Sequence, residues 1–228
     1  MSITSADAAP ADLKQRLKNT YDEIAPKYNA WTNKHTAQRL DYLNNLLLRL
    51  PTDARVLELG CGGGVPVGQS ILAHSPSIHL IANDLSNTQI ALARESLSAE
   101  AASGRVTFLE GDMTTLDISE HSLDAVVAIY SLIHLPRGEQ VALLGTIARK
   151  WLKPGGYLLA NFSDEDTGEK GVVFEGWMGP NGWTFYSGLG VEATRRAAED
   201  VGFDVLLGEV AEDVVKAKFF WMIAKKTA

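Results

Sequence analysis

One cysteine, Cys61, stands in 228 residues, which excludes a disulfide framework and the paired spacing of a zinc ribbon. No apolar run reaches the roughly 18–20 residues that a membrane span requires. Basic residues are outnumbered, 21 against 28 acidic, for a formal charge of −7. A general nucleic-acid binder needs a cationic face to displace counterions, so this balance argues against one. The five histidines show no ligand spacing: His74 and His79 are five apart, and His35, His121 and His134 lie elsewhere. No metal centre is expected. The start, Met-Ser-Ile-Thr-Ser-Ala-Asp, lacks a basic stretch followed by an apolar one. A secretion signal is therefore not expected, and the expected location is the cytoplasm. Internal repeats and low-complexity segments are absent. What is present is 46% hydrophobic and 21% charged residues, enough for one ordinary domain with a real core.

Periodicity divides the chain. Residues 1–10 are small and polar. Leu13, Leu17, Tyr21 and Ile24 predict a helix over 11–25 that Pro26 ends or kinks. Leu40, Leu43, Leu46, Leu47 and Leu50 predict a second over 36–50, closed by Pro51. From residue 55, short apolar runs at 55–59, 78–84, 106–110, 123–129 and 157–162 alternate with helical segments, one capped by Ser86 with Gln89 at the capping-box position. Such alternation implies an α/β fold with a parallel sheet covered on both faces. Residues 163–187 break the rhythm with Trp177, Trp183, Phe185 and Tyr186, and read as an insertion or lid. A helix at 190–201 and two strands at 203–210 and 218–225, which could pair antiparallel, close the chain. The division expected is one domain: a helical cover (1–50), a ligand-binding core (51–162), a lid (163–189) and a C-terminal helix with hairpin (190–228).

The strongest motif is Val-Leu-Glu-Leu-Gly-Cys-Gly-Gly-Gly at 56–64, a glycine loop between a strand and a helix. Gly60, Gly62 and Gly64 let backbone approach a ligand where a Cβ would collide. In an open α/β sheet this is where ligands sit. A dinucleotide fingerprint wants Gly or Ala where this chain has Val65, and Glu58 before the loop would repel a pyrophosphate. Both disfavour a nicotinamide-dependent oxidoreductase. Asp84 ends the second strand, where a carboxylate can accept both hydroxyls of a ribose; the plainer alternative is a turn Asp before Ser86. Asp112, in Glu-Gly-Asp-Met, can accept from an adenine amino group while the Met113 N–H donates to the ring, or can serve as a turn or cap residue.

Taken in order, Glu58-x-Gly60-x-Gly62-x-Gly64, Asp84, Gly111-Asp112-Met113, Tyr130-Ser131-Leu132-Ile133-His134-Leu135-Pro136 and Leu152-Lys153-Pro154-Gly155-Gly156 resemble the successive motifs of the class I S-adenosylmethionine-dependent methyltransferases of small-molecule type. The resemblance implies a doubly wound, Rossmann-like seven-stranded sheet, mostly parallel with an antiparallel last strand. It also implies S-adenosyl-L-methionine as cofactor. By it, Gly60, Cys61 and Gly62 line the methionine part, with Cys61 acting through its backbone. Asp84 and Leu85 take the ribose, Asp112 and Met113 take the adenine, and Glu58 lies under the loop. Tyr21-Asp-Glu-Ile-Ala-Pro-Lys-Tyr28 is similar to the segment that many such enzymes fold over the cofactor, with Tyr28 at the methionine carboxylate.

Methyl transfer asks a protein mainly to position two reactants. Tyr28, Trp31 and Tyr130 present ring faces that could favour a cationic methyl donor, or simply pack in the core. His134, at the rim after the fourth strand, is the candidate catalytic base; the alternative is that it shapes the pocket without moving protons. Trp31, Trp177 and Tyr186 are expected at an apolar or aromatic small-molecule acceptor. The loop Ile129-Tyr130-Ser131-Leu132 lacks the Asn/Asp-Pro-Pro-aromatic run that holds a planar amino group, which lowers the case for nucleic acid or ribosomal protein as substrate. Relatives with similar loops often carry a Trp-Ser-His-like stretch where this chain has Phe185-Tyr186-Ser187-Gly188. The expectation is methyl transfer to O, N or S of a small molecule, by a monomer or homodimer without nucleic-acid or membrane partners. The alternative is a pocket that binds the cofactor without methylating, as a cyclase or regulatory subunit.

Overall fold

The apolar runs and the helical segments between them assemble in a computed structural model that describes residues 2–5, 9–213 and 216–227. The strands are β1 (Ser2–Ser5), β2 (Arg55–Leu59), β3 (His79–Asp84), β4 (Val106–Glu110), β5 (Leu123–Ala128), β6 (Leu152–Ser163), β7 (Val172–Glu175), β8 (Trp183–Tyr186), β9 (Phe203–Glu212) and β10 (Lys218–Lys226). The helices are α1 (Leu13–Thr32), α2 (Ala37–Leu47), α3 (Val67–His74), α4 (Asn87–Ser96), α5 (Ser98–Ala102), α6 (Arg137–Thr146) and α7 (Val191–Asp200). A π-helical turn over Ile147–Trp151 extends α6.

Seven strands form one sheet in the order β4-β3-β2-β5-β6-β10-β9. β2 pairs parallel with β3 on one side and β5 on the other, and β10 runs antiparallel to both β6 and β9. This is the sheet expected from the sequence. The chain begins in the middle, steps outward to β4, then crosses back to β5. That reversal opens a crevice at the carboxyl ends of β2 and β5.

Alternation along β2 sends Val56 to one helical layer and Leu57 and Leu59 to the other. The first layer packs Leu43, Leu46, Ile71 and Ile90 on the sheet, and the second packs Leu143, Leu144, Trp151 and Ala198. The central runs Ala125–Ala128 and Leu158–Phe162 are buried throughout because helices cover both faces.

Two details depart from expectation. The first helix does not stop at Pro26 but continues to Thr32. The proline removes one N–H from the ladder, while packing holds both halves. Leu17, Ile24 and Ala25 are buried, Lys27 Nζ donates to the Met178 carbonyl (2.6 Å), and Asn29 Nδ2 donates to Gln89 Oε1 (2.9 Å). The helix expected from Asn87 to Ala102 breaks at Leu97, which is buried under the glycine loop: a Cβ on Gly64 would stand 3.0 Å from Leu97 Cδ1.

The aromatic insertion is a hairpin, β7–β8, joined by β1 into a separate three-stranded antiparallel sheet. This sheet packs on α1 around a core of its own, Leu13, Leu17, Val173, Trp183 and Phe185. The Arg16 guanidinium lies 4.1 Å from the centre of the Trp183 ring, and the Trp183 N–H donates to Thr20 Oγ1 (3.3 Å). The N-terminal strand, α1 and the insertion thus form one packed unit over the crevice.

Phe162 is fully buried in the layer under α6 and α7. Phe162→Ala should cost about 3–5 kcal/mol, read as a lowered midpoint in urea unfolding without a change of slope.

Candidate functional site

At the end of β2 the chain turns sharply: the N–H groups of Gly60 and Cys61 both donate to the Asn83 carbonyl at 2.8 Å. Gly60 holds φ +74°, and a Cβ there would come within 2.6 Å of Ser131 Cβ, so this glycine serves close approach of two protein loops. Gly62, at φ +54°, faces open space, with nothing nearer than 3.8 Å to its Cβ position. Of Gly60, Gly62 and Gly64, all expected at a ligand, Gly64 instead packs against Leu97, whereas Gly60 and Gly62 line the cleft and Gly62 has the open space at its Cβ position.

Gly62 also donates its N–H to Asp84 Oδ2 (2.8 Å), while Ser86 N–H donates to Asp84 Oδ1 (2.9 Å). Two backbone donors thus fix the plane of the carboxylate, and each oxygen keeps a lone pair. Burial pushes Asp84 up to about 6, against the lowering effect of these N–H groups. Ser86 Oγ caps α4 through Gln89 N–H (3.1 Å). The reciprocal half of the expected capping box is absent, because Ser86 N–H is taken by Asp84. The Gln89 side chain turns instead to Asn29 on α1.

A cleft enclosing about 680 Å³, its open mouth included, is lined by Tyr28, Gly60, Gly62, Asp84, Leu85, Asp112, Met113, Tyr130 and His134. Nine residues singled out in the sequence therefore meet in one place. Lys14, Leu17, Tyr21, Gln89, Ile129, Ser131 and Leu135 complete the wall. Glu58, Cys61, Trp31, Trp177 and Tyr186 do not line it. Glu58 and Cys61 are buried beneath the loop. Trp31 and Trp177 stand edge to face (6.4 Å between ring centres), linked to the wall through Tyr28. Tyr186 stacks behind His134 at 4.9 Å.

Asp112 accepts from Thr114 N–H (2.9 Å) through Oδ1 and from Lys14 Nζ (2.8 Å) through Oδ2. Lys14 also reaches Glu139 Oε2 (2.6 Å). Desolvation raises Asp112, but the bonds from Lys14 and Thr114 outweigh it and hold the group below the usual carboxylate range. Lys14 sits on the expected helix, but nothing in the spacing linked it to Asp112, 98 positions away.

His134 is held from both sides. Its Nδ1 lies 2.9 Å from the Phe185 carbonyl, which only accepts, so Nδ1 carries the proton. Nε2 then accepts from the Tyr21 hydroxyl at 3.1 Å. Burial pushes His134 down to about 4 despite the bond to Phe185, so the ring is neutral at physiological pH. Burial likewise raises Tyr21, keeping it a phenol.

Arg39 on α2 escaped the sequence reading. Its guanidinium is buried, donates to the Thr32 carbonyl, forms no ion pair among the described residues and leaves Nε without a partner. Its charge is felt by Tyr28, Tyr130 and Glu58. A buried cation with spare donors is the complement of a carboxylate on a ligand. The signal available in the sequence was an arginine on the inward face of an otherwise leucine-rich helix. Glu58, buried and with Oε2 unpartnered, is pushed to about 8 by desolvation and by Asp84, against Arg39. The groups in the cleft therefore fit a ligand with hydroxyl donors at Asp84 and an amino donor at Asp112, with Arg39 a buried cation outside the lining.

The methyltransferase-domain family model matches residues 56–156. The match covers under half of the chain and shows a likeness to methyltransferase domains over that stretch. Over 166 residues the chain is 27% identical to phosphoethanolamine N-methyltransferase 1 of Triticum aestivum, covering 73% of this chain and 31% of that protein. Over 179 residues it is 28% identical to sterol 24-C-methyltransferase of Neurospora crassa, covering 75% and 45%. The chain thus spans less than half the length of these relatives. In fold it is similar to the Burkholderia thailandensis 1,6-didemethyltoxoflavin-N1-methyltransferase with bound 1,6-didemethyltoxoflavin and S-adenosylhomocysteine. That likeness has a TM-score of 0.76 at 19% identity over 99% of this chain and 95% of that one. The fold of this chain is therefore shared with that protein.

Between about pH 4.5 and about 8 the folded chain keeps a proton on Glu58 that the unfolded chain has released, so this group's contribution to stability declines as pH rises through that window. Glu58→Gln should remove the decline. Urea unfolding of both proteins near about pH 6 and about pH 8 checks it, the variant gaining on the parent at the higher pH.

Proposed function

We propose that this chain transfers a methyl group from S-adenosylmethionine to O, N or S of a small-molecule acceptor. The observation that carries the reading is one continuous cleft in which Asp112, Asp84, Gly62 and the Tyr21–His134 pair all face the same space. The named relatives act on small molecules, which supports an acceptor of that class. No helix among the described residues is long and apolar enough to cross a membrane, and in this reading the protein is a cytoplasmic monomer or homodimer.

S-adenosylmethionine, when bound, supplies a sulfonium methyl group that an in-line acceptor lone pair takes as the carbon–sulfur bond breaks. The residues of this chain bind and orient. Asp84 accepts the ribose hydroxyls, with Leu85 against the sugar. Asp112 accepts the adenine amino group beside Met113. Arg39 and Tyr28 hold the methionine carboxylate end, and the loop at Gly60–Gly62 supports it. Tyr130 offers a ring beside the sulfonium. Tyr21 commits its proton to His134 and turns its oxygen lone pairs to the cleft, where they accept from a proton-bearing acceptor. His134 acts through Tyr21: with its Nδ1 proton held by Phe185, it fixes the direction of the Tyr21 hydroxyl. Trp31, Trp177 and Tyr186 back the acceptor end of the cleft.

Purified protein with labelled S-adenosylmethionine should release S-adenosylhomocysteine when given an acceptor from a panel of amines, phenols and sterols. Binding without turnover on any of them would favour the non-methylating alternative. Asp84→Ala should weaken S-adenosylhomocysteine binding about tenfold or more in calorimetry, and an unchanged affinity removes Asp84 from the ribose. Tyr21→Phe should lower kcat about tenfold with little change in cofactor affinity. Because His134 is neutral above about 4, the loss in His134→Gln should be constant from about pH 5.5 to about 8. A loss that changes with pH across that range would make it a titrating base.

A further inference from the structure

We propose that Asp22 is a positioning residue for the cofactor site: it docks the cover helix α1 onto the turn that carries Asp84, so that the turn holds its ligand-binding shape when the cover is in place. The inference rests on the reading that Asp84 binds the ribose.

Asp22 sits on α1, 62 positions from Asp84 in sequence, yet its carboxylate reaches the start of α4. Oδ1 accepts from Ser86 Oγ at 2.6 Å and from Thr88 N–H at 3.2 Å, while Oδ2 accepts from Lys18 Nζ at 2.7 Å. Helices normally satisfy their first free N–H groups with their own cap residue. Here Ser86 serves only Gln89, and the Thr88 N–H is served by a carboxylate from another helix. Ser86 in turn donates its backbone N–H to Asp84 Oδ1, and Gly62 closes the far side through Oδ2. The bonds run unbroken from Lys18 through Asp22 and Ser86 to Asp84 and the glycine loop. A negative group at a helix N-terminus is also favoured by the helix dipole.

Asp22 acts on Asp84 through charge as well as through Ser86. Desolvation opposes ionisation of Asp22, but its bonds from Lys18, Ser86 and Thr88 prevail and hold it below the usual carboxylate range. The groups facing Asp84 are Tyr21, Asp22 and Tyr28 from α1, Glu58 from β2, Cys61 and the Gly62 N–H from the glycine loop, and the N–H groups of Leu85 and Ser86. Glu58, with its pKa near 8, is largely uncharged around pH 6. Asp22 is therefore the ionised carboxylate beside Asp84 in that range, and it adds to the desolvation that raises Asp84 to about 6. A residue serving only to pack α1 would leave that titration where it is.

The test is calorimetric titration with S-adenosylhomocysteine across about pH 5 to about 8 on the parent protein, Asp22→Asn, Asp22→Ala and Asp84→Asn. In the parent, affinity should fall as pH drops through about 6. Asp22→Asn keeps the acceptor for Ser86 and Thr88 but removes the charge, and should move that fall to lower pH by about half a unit or more. Asp22→Ala removes the cap too and should weaken binding about tenfold at neutral pH. If Asp22→Ala does not fold, the pH shift in Asp22→Asn decides alone. Parent-like affinity and parent-like pH dependence in both Asp22 variants, with Asp84→Asn impaired, overturn this proposal and leave the ribose assignment standing. Parent-like binding by Asp84→Asn overturns both.

Discussion

The Asp84 carboxylate is the constraint around which the rest is arranged. It stands at the end of β3, and the N–H groups of Gly62 and Ser86 grip its two oxygens from opposite sides. For Gly62 to present its N–H there, the loop after β2 must turn through left-handed backbone, which glycine adopts without strain. The same turn drives Gly60 against Ser131 and lets Asn83 hold two successive N–H groups with its carbonyl. Three strand ends are thereby locked together while the crevice between them stays open. Gly60 thus serves a contact between two protein loops as well as the cleft wall, while Gly62 has open space at its Cβ position.

Charge in the site is sparse and placed. Glu58 is carried largely protonated near neutrality because it is buried beside Asp84, and His134 is carried neutral because it is buried against Phe185. Formal charges near the cleft include the Asp84 and Asp112 carboxylates, the Asp22 carboxylate behind them and Lys14 at the mouth, while Arg39 is buried outside the cleft lining. Asp112 and Lys14 satisfy each other across the mouth, whereas Arg39, among the described residues, bonds to a carbonyl and forms no ion pair. In the proposed reading this pattern leaves a buried cation for the carboxylate end of the cofactor and exposed lone pairs for its sugar.

The cover has its own logic. α1 and the β7–β8 hairpin share a small apolar core, and β1 pairs with β7 at its edge. Their ties to the sheet include polar ones: Asp22 to Ser86 and Thr88, Lys14 to Asp112 and Glu139, and Tyr21 and Phe185 to His134. Polar ties exchange readily for water or ligand, unlike a buried apolar seam. A unit attached in this way suits a site that must admit and release small molecules.

Much of this was legible in the sequence, for reasons that are local. Strands such as Arg55–Leu59 and Val106–Glu110 are short apolar runs bounded by turn residues, and their alternation with helices dictates a doubly wound sheet. The glycine loop, Asp84 and Asp112 fall at strand ends, where a parallel sheet must place its ligands. The nine expected residues that share the cleft were found because strand-end positions converge by topology. Tertiary contact decided the rest. Pro26 sits inside a helix because burial outweighs one lost hydrogen bond. Gln89 abandons its capping role because Ser86's N–H is spoken for by Asp84. Lys14, Asp22 and Arg39 acquire their places by meeting residues far away in the chain, and no periodicity encodes which distant charge a surface-looking lysine or aspartate will face. Sequence alone determined the fold and the position of the crevice, since these follow from repeating local patterns. Which side chains close it, and in what state of ionisation, was decided by burial and by long-range pairing, which exist only once the chain is folded.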